Sequence, residues 1–186
     1  MRNMQNYSIQ YLEDAADIIG SHEITLTEEG ILDLLQIKYR WPEPALEVVN
    51  QCGNVSNGFF DSRKYIIYEQ WKRLYDLGFT SLLNNVMDLT AEFRSLGNKL
   101  YEYKGSEVNA NLYLSKGTET KRPSFDPHQH DYHVIVRPIY GSCVWELNGQ
   151  RQEVQSDGVV IIPAGTMHSV VENREPRLSL TINMSG

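Results

Sequence analysis

Basic residues are in short supply. Lys and Arg number 17 against 24 Asp and Glu, which gives a formal charge of -7 and a pI near 5.2. A nucleic-acid backbone is bound by a surplus of Lys and Arg gathered on one face, so no nucleic-acid partner is expected, and the short pair Lys121-Arg122 does not change that. Cysteine is scarce too: Cys52 and Cys143 lie far apart with no CxxC spacing, which excludes a zinc knuckle or a disulfide framework. Both are expected as reduced thiols. No apolar run approaches the roughly 20 residues of a membrane helix, and no membrane partner is expected. The opening residues Met1 to Tyr7 lack the apolar core of a secretory signal, so the expected location is the cytoplasm.

What is present fits one globular unit. A length of 186 residues with 41% hydrophobic and 22% charged side chains suffices for one good-sized core. The first hundred residues read mainly as helices. Leu12 to Ile19 is a short amphipathic segment, and Thr27 is placed to cap a helix carrying Ile31, Leu34, Leu35 and Ile37. Trp41-Pro42-Glu43-Pro44 stops that helix. Gln51 to Ser62 reads as the main irregular loop, Tyr65 to Leu77 as helix, and Asn84 to Tyr103 as one long amphipathic helix with an apolar stripe from Val86 to Tyr103.

After Gly105 the period changes from helical to two. Val108, Ala110, Leu112 and Leu114 alternate with Asn109, Asn111, Tyr113 and Ser115. Strands are predicted at His130 to Tyr140, Cys143 to Leu147, Gly158 to Ile162, His168 to Glu172 and Leu178 to Asn183. Short strands at this spacing suggest a sandwich or small barrel.

Four of the five histidines, at 128, 130, 133 and 168, fall in this β-rich half. On a strand, residues i and i+2 project from one face, so His128 and His130 can present two imidazoles to one point. His168, after the turn Pro163-Ala164-Gly165-Thr166-Met167, supplies a third. Three imidazoles with open positions left over suit Fe, Zn, Ni, Cu or Mn and leave room for substrate or oxygen. His22 has no histidine neighbours in the sequence and is read as structural.

At these residues the sequence resembles the cupin superfamily, whose first motif opens with His-x-His and whose second ends in Pro-x-Gly-x-x-His, here Gly158 to His168. It is most similar to the JmjC-like branch of non-haem iron oxygenases, which includes ribosomal protein hydroxylases. Asn109 to Ser115, Pro127 to Val134, Gly141 to Trp145 and Asp157 to Thr181 carry the likeness in order. It implies an α+β fold, with a helical extension over residues 1–104 packed on a jelly-roll barrel, or double-stranded β-helix, over 105–186. It also implies Fe(II) as cofactor, with 2-oxoglutarate chelating the metal and a Lys or Arg gripping its far carboxylate.

The sequence departs from that pattern at two places. His130 stands where the branch has a carboxylate ligand, and Cys143 stands where its basic residue belongs. Replacing a carboxylate by neutral imidazole raises the site charge by one unit and favours anionic ligands. If 2-oxoglutarate is used, its distal carboxylate needs another partner, for which Arg137, Lys104 and Arg122, or Tyr113 and Asn111 as neutral donors, are candidates. His133, on the opposite face by alternation, is a candidate base, a partner orienting a ligand, or a further ligand; Tyr113 is a second candidate for moving a proton. Asp126 and Asp131 are candidate acceptors near the ligands. Trp145, Phe125, Ile135 and Val160 read as packing.

Three functions are compatible with this pattern. The first is an iron-dependent oxygenase acting on a small molecule or peptide side chain. The second is a cupin isomerase or lyase using Zn, Ni or Mn as Lewis acid. The third is a non-catalytic ligand-binding cupin. The helical half is expected to cover one barrel face, and a homodimer through it would shield exposed sheet edges.

Overall fold

A computed structural model describes residues 7–37, 45–50, 53–117, 125–156 and 158–184. The Trp41-Pro42-Glu43-Pro44 stop signal, Cys52, Arg122 and Asp157 lie outside the described residues.

Helix α1 spans Ile9–Ser21 and α2 spans Glu28–Gln36. The hydroxyls of Ser8 and Thr27 accept from the N–H groups of Tyr11 and Gly30, the capping expected of Thr27. Strands β1 (Leu46–Val49) and β2 (Val55–Ser56) form a hairpin, so the segment expected to be irregular is in part strand. Helix α3 (Tyr68–Asp76) leads into β3 (Thr80–Leu83). The long helix expected over Asn84 to Tyr103 is two elements, a 3-10 turn at Val86–Asp88 and α4 at Ala91–Lys104. The break lies at Thr90, whose extended backbone and hydroxyl cap α4 at the N–H of Phe93. An apolar stripe that runs through both elements conceals that boundary.

The β-rich half supplies β4 (Asn109–Ser115), β5 (His133–Tyr140), β6 (Cys143–Leu147), β7 (Gln150–Val154), β8 (Val160–Ile162), β9 (His168–Glu172) and β10 (Arg177–Met184). All pairings are antiparallel. A seven-stranded sheet runs β2-β1-β3-β4-β10-β5-β8, and a three-stranded sheet β7-β6-β9 faces it. The helical half thus adds three strands to the barrel's own sheet.

Period-two alternation divides this sheet between two environments. On β10, Leu178, Leu180, Ile182 and Met184 join Ala110, Leu112 and Leu114 of β4 and Ile135 of β5 in a core shared with Ile19, Ile31, Trp71 and Phe93 of the helices. The opposite face carries Ser115, Tyr113 and Asn111 on β4, paired in register with Arg177, Ser179 and Thr181 on β10. That face meets the small sheet through a second core that includes Val134, Val136, Trp145, Val154 and Ile162. The apolar stripes of β4 and β10 therefore face the helices, while their polar stripes line the barrel interior. The fold is α+β with a jelly-roll barrel, as the resemblance implies.

Candidate metal centre

His128 and His168 face each other as an isolated antiparallel bridge. Each N–H donates to the other's carbonyl, at 3.1 and 2.8 Å. His130 also precedes β5, which begins only at His133, so the pair at 128 and 130 is set by this bridge and by a turn rather than by a regular strand. The turn is the Pro-x-Gly segment. Gly165, with φ of +78°, donates its N–H to the His130 carbonyl at 2.8 Å, and Thr166 closes the turn on Pro163. Asn148 and Gly149, both at positive φ, make the tight β6–β7 hairpin. Asn148 then clamps the turn from the other side, its amide oxygen accepting from the Met167 N–H and its own N–H donating to the Met167 carbonyl.

One nitrogen from each of His128, His130 and His168 lies within 4.8 Å of the others. The ring centroids are 4.5 to 5.1 Å apart. In His128 and His168, Nδ1 is 2.8 Å from the carbonyl of Asp126 and of Thr166 respectively. A carbonyl only accepts, so each Nδ1 carries the proton and each Nε2 lone pair is free for a metal. His130 is stacked on Tyr132 with centroids 4.7 Å apart. Burial, then the neighbouring imidazoles, holds His130 below its ordinary pKa, and burial does the same for His168, which keeps these ligands neutral. Cis ligand nitrogens on a divalent metal stand about 3 Å apart at bond lengths near 2 Å, so a small inward movement of these rings would close the site.

The cluster opens on a cavity of ≈ 30 Å³ lined also by Tyr113, Phe125, Val134, Trp145, Val170, Arg177 and Ser179. This is room for a few atoms. Tyr113 lines this cavity, and burial pushes its hydroxyl pKa up to about 12, which makes it a proton donor rather than a base. Trp145 and Phe125, read as packing, line the cavity. Ile135 and Val160 are packing, in the outer and inner cores respectively.

The remaining candidates lie elsewhere. Arg137 is on the outer face of β5 and donates to the carbonyls of Ile19 and His22 at the end of α1. Asn111 sits on the inner face of β4 but binds the Asn85 N–H instead of reaching the cavity. Cys143 is buried between the sheets among valines. Lys104 bonds Ser106 at the end of α4. His133 stands apart from the imidazole cluster. Its Nδ1 accepts the Ala164 N–H at 3.1 Å, so it braces the turn that fixes His130. Asp126 serves through its carbonyl, and Asp131 is exposed. His22 is buried against α4, its Nε2 donating to the Glu92 carbonyl.

Sequence reading missed Arg177. It is 1% exposed, lines the cavity, and its Nε and Nη2 have no hydrogen-bond partner. Its phase was legible, since Arg177 alternates with Ser179, Thr181 and Asn183, but the strand was read as starting one residue later.

Residues 117–185 match a family model described as the AraC-like ligand binding domain. No curated protein matches the chain. Among solved structures, YcfD, a ribosomal oxygenase from Escherichia coli, aligns over 89% of this chain in its complex with cobalt and 2-oxoglutarate, at 16% identity and a TM-score of 0.61. Its complex with cobalt and succinic acid aligns at 14% identity and 0.60. This chain spans 45% of the length of that oxygenase. KdgF from Halomonas sp. aligns over 42% of this chain and 70% of its own, at 21% identity and a TM-score of 0.36. The two facing sheets and the likeness to YcfD over 89% of this chain agree on a cupin-type fold, and the family match falls within its β-rich half.

Proposed function

We propose that the chain is a metal-dependent cupin oxygenase with non-haem Fe(II) held by His128, His130 and His168, acting on a small molecule or a peptide side chain. The observation that carries this reading is three imidazoles converging within 4.8 Å, two of them oriented by Nδ1–H bonds to carbonyls. A metal so held would supply a Lewis-acidic centre with positions open to substrate and dioxygen.

The chain's own residues set the conditions around that centre. Phe125, Val134, Trp145 and Val170 limit water at the cavity, and Tyr113 holds a proton that it can donate to a basic ligand atom. His133 fixes the turn under His130. Three neutral ligands leave the full metal charge uncompensated, which favours an anionic substrate or co-substrate.

The test is an anaerobic titration of Fe(II)-loaded protein with 2-oxoglutarate, followed by oxygen uptake. A saturating visible charge-transfer band is expected if the oxo-acid chelates the iron. With confirmed iron and no band, oxygen uptake driven by a metal-binding substrate would keep the oxygenase reading. Activity with Zn or Ni that is indifferent to oxygen would replace it with a lyase or isomerase. The AraC-like family match favours a second reading, a cupin that binds its ligand without chemistry; ligand binding that survives His128→Ala and no turnover under any condition would establish it.

A further inference from the structure

We infer that the free edge of β8, with the flank of α1 beside it, is a docking site for an extended segment of a partner protein that carries Lys or Arg at alternate positions. The inference goes beyond the imidazole cluster and does not depend on what that cluster binds. β8 ends the seven-stranded sheet. It pairs with β5 through Val134 and Ile162, Ile135 and Ile161, and Val136 and Val160, and among the described residues no strand takes its other edge. The strand itself, Val160-Ile161-Ile162, has no charge, proline or bulge of the kind that blunts an edge.

Beside this edge, α1 and β8 bound a cleft of ≈ 710 Å³ lined by Ala16, Ile18, Val159 and Ile161, with Glu13 and Asp17 exposed on its rim. α1 is held close to the strand: a Cβ on Gly20 would stand 3.2 Å from Val159 Cγ2. Glu13 and Asp17, one helical turn apart, share a face of α1. Neither carboxylate has a partner among the described residues, and no cation lines the cleft.

These features select the occupant. A strand added to β8 bonds its main chain to the free edge, and every second side chain lies over the outer face of the sheet, towards α1. That is the face on which Val159 and Ile161 pack, while Val160 and Ile162 point to the inner core. A Lys or Arg placed there lays its aliphatic stem on Val159 and Ile161 and brings its charge to Glu13 and Asp17. A second copy of this chain fits less well, because pairing β8 with β8 about a two-fold axis gathers Glu13 and Asp17 of both copies at one interface, in a chain of net charge -7.

The probe is a blocked, fluorescein-labelled octapeptide of alternating Lys and Val, titrated by fluorescence anisotropy while hydrogen exchange of the protein is followed in parallel. Binding is expected, with added protection at residues 158–162. The double variant Glu13→Lys, Asp17→Lys should bind at least tenfold more weakly, and wild type should bind an alternating Glu and Val peptide at least tenfold more weakly. A Lys and Val peptide N-methylated throughout keeps its charges and loses its main-chain donors, and its affinity should fall by as much.

No binding of the Lys and Val peptide, unchanged affinity in the double variant, equal affinity of the methylated peptide, or protection elsewhere than at β8 overturns the inference. So does a dimer of the free protein in sedimentation that protects residues 158–162, since the edge then belongs to a second copy. Should the double variant not fold, Glu13→Gln, Asp17→Asn decides the matter: it removes both charges without reversing them, affinity should fall at least threefold, and unchanged affinity overturns the site.

Discussion

The backbones of Gly141, just after β5, and Arg177, at the start of the neighbouring strand β10, approach each other closely. A Cβ on Gly141 would overlap the Pro176 carbonyl oxygen and come within 2.9 Å of Arg177 Cα, and Gly141 has φ of +73°. Just beyond, the β5–β10 register slips, so that Leu178 faces Tyr140 and Ser179 faces Pro138. A bulge is where a proline without an N–H can sit in a sheet. Gly141 and this bulge therefore let the chain enter β10 with Arg177 turned inward.

Gly141→Ala should then act on both stability and ligand binding. Positive φ and overlap with backbone atoms that cannot swing aside should cost about 2 kcal/mol or more. Urea denaturation of the two proteins measures this directly. A change smaller than about 0.5 kcal/mol would show that the contact relaxes without consequence.

His128→Ala and His168→Ala should each lower retained metal at least tenfold, measured by elemental analysis after dialysis. Each also removes one side chain from the bridge while leaving its two backbone bonds in place, so circular dichroism should be unchanged. Stoichiometric metal in both variants would refute the assignment of these ligands.

Arg137→Ala is expected to weaken the fold and spare the site. Its guanidinium satisfies carbonyls at the C-terminus of α1, where no basic residue lies in the last turn. Loss of charge-assisted bonds of this kind costs about 1.5–3 kcal/mol. Metal content and any 2-oxoglutarate binding should match wild type; a selective loss of that binding would restore Arg137 as the carboxylate partner.

Stability of the metal-free protein should fall as the solution becomes acidic. His130, His133 and His168 are all held below the ordinary imidazole value, chiefly by burial. The unfolded chain therefore takes up protons first. The stability these groups contribute is present above pH of about 6.5 and is lost as pH falls through their folded values. Protonating His133 also removes the acceptor for the Ala164 N–H. His133→Gln should make the melting temperature less steep with pH between about 7 and 5, and an unaltered slope would show that His133 does not take part.

The sequence by itself determined which histidines could cluster, the barrel class and the polarity of each strand. Period-two alternation separates Leu178, Leu180 and Ile182 from Ser179 and Thr181, and a Pro-x-Gly turn before His168 is legible as it stands. Alternation within β5 puts His133 and Arg137, four residues apart, on one face of that strand, but His128 and His130 precede β5, and their separation from His133 is set by the bridge and the turn. Tertiary structure decided which stripe faces inward. Sequence cannot tell a polar stripe facing water from one lining a cavity, because both alternate alike. Only the docking of α1, α2, α3 and α4 on the apolar face turned Arg177, Ser179 and Tyr113 into the barrel. The convergence of His128 with His168 was likewise decided by the pairing of distant segments, because sequence spacing does not specify which distant backbone groups hydrogen-bond to each other.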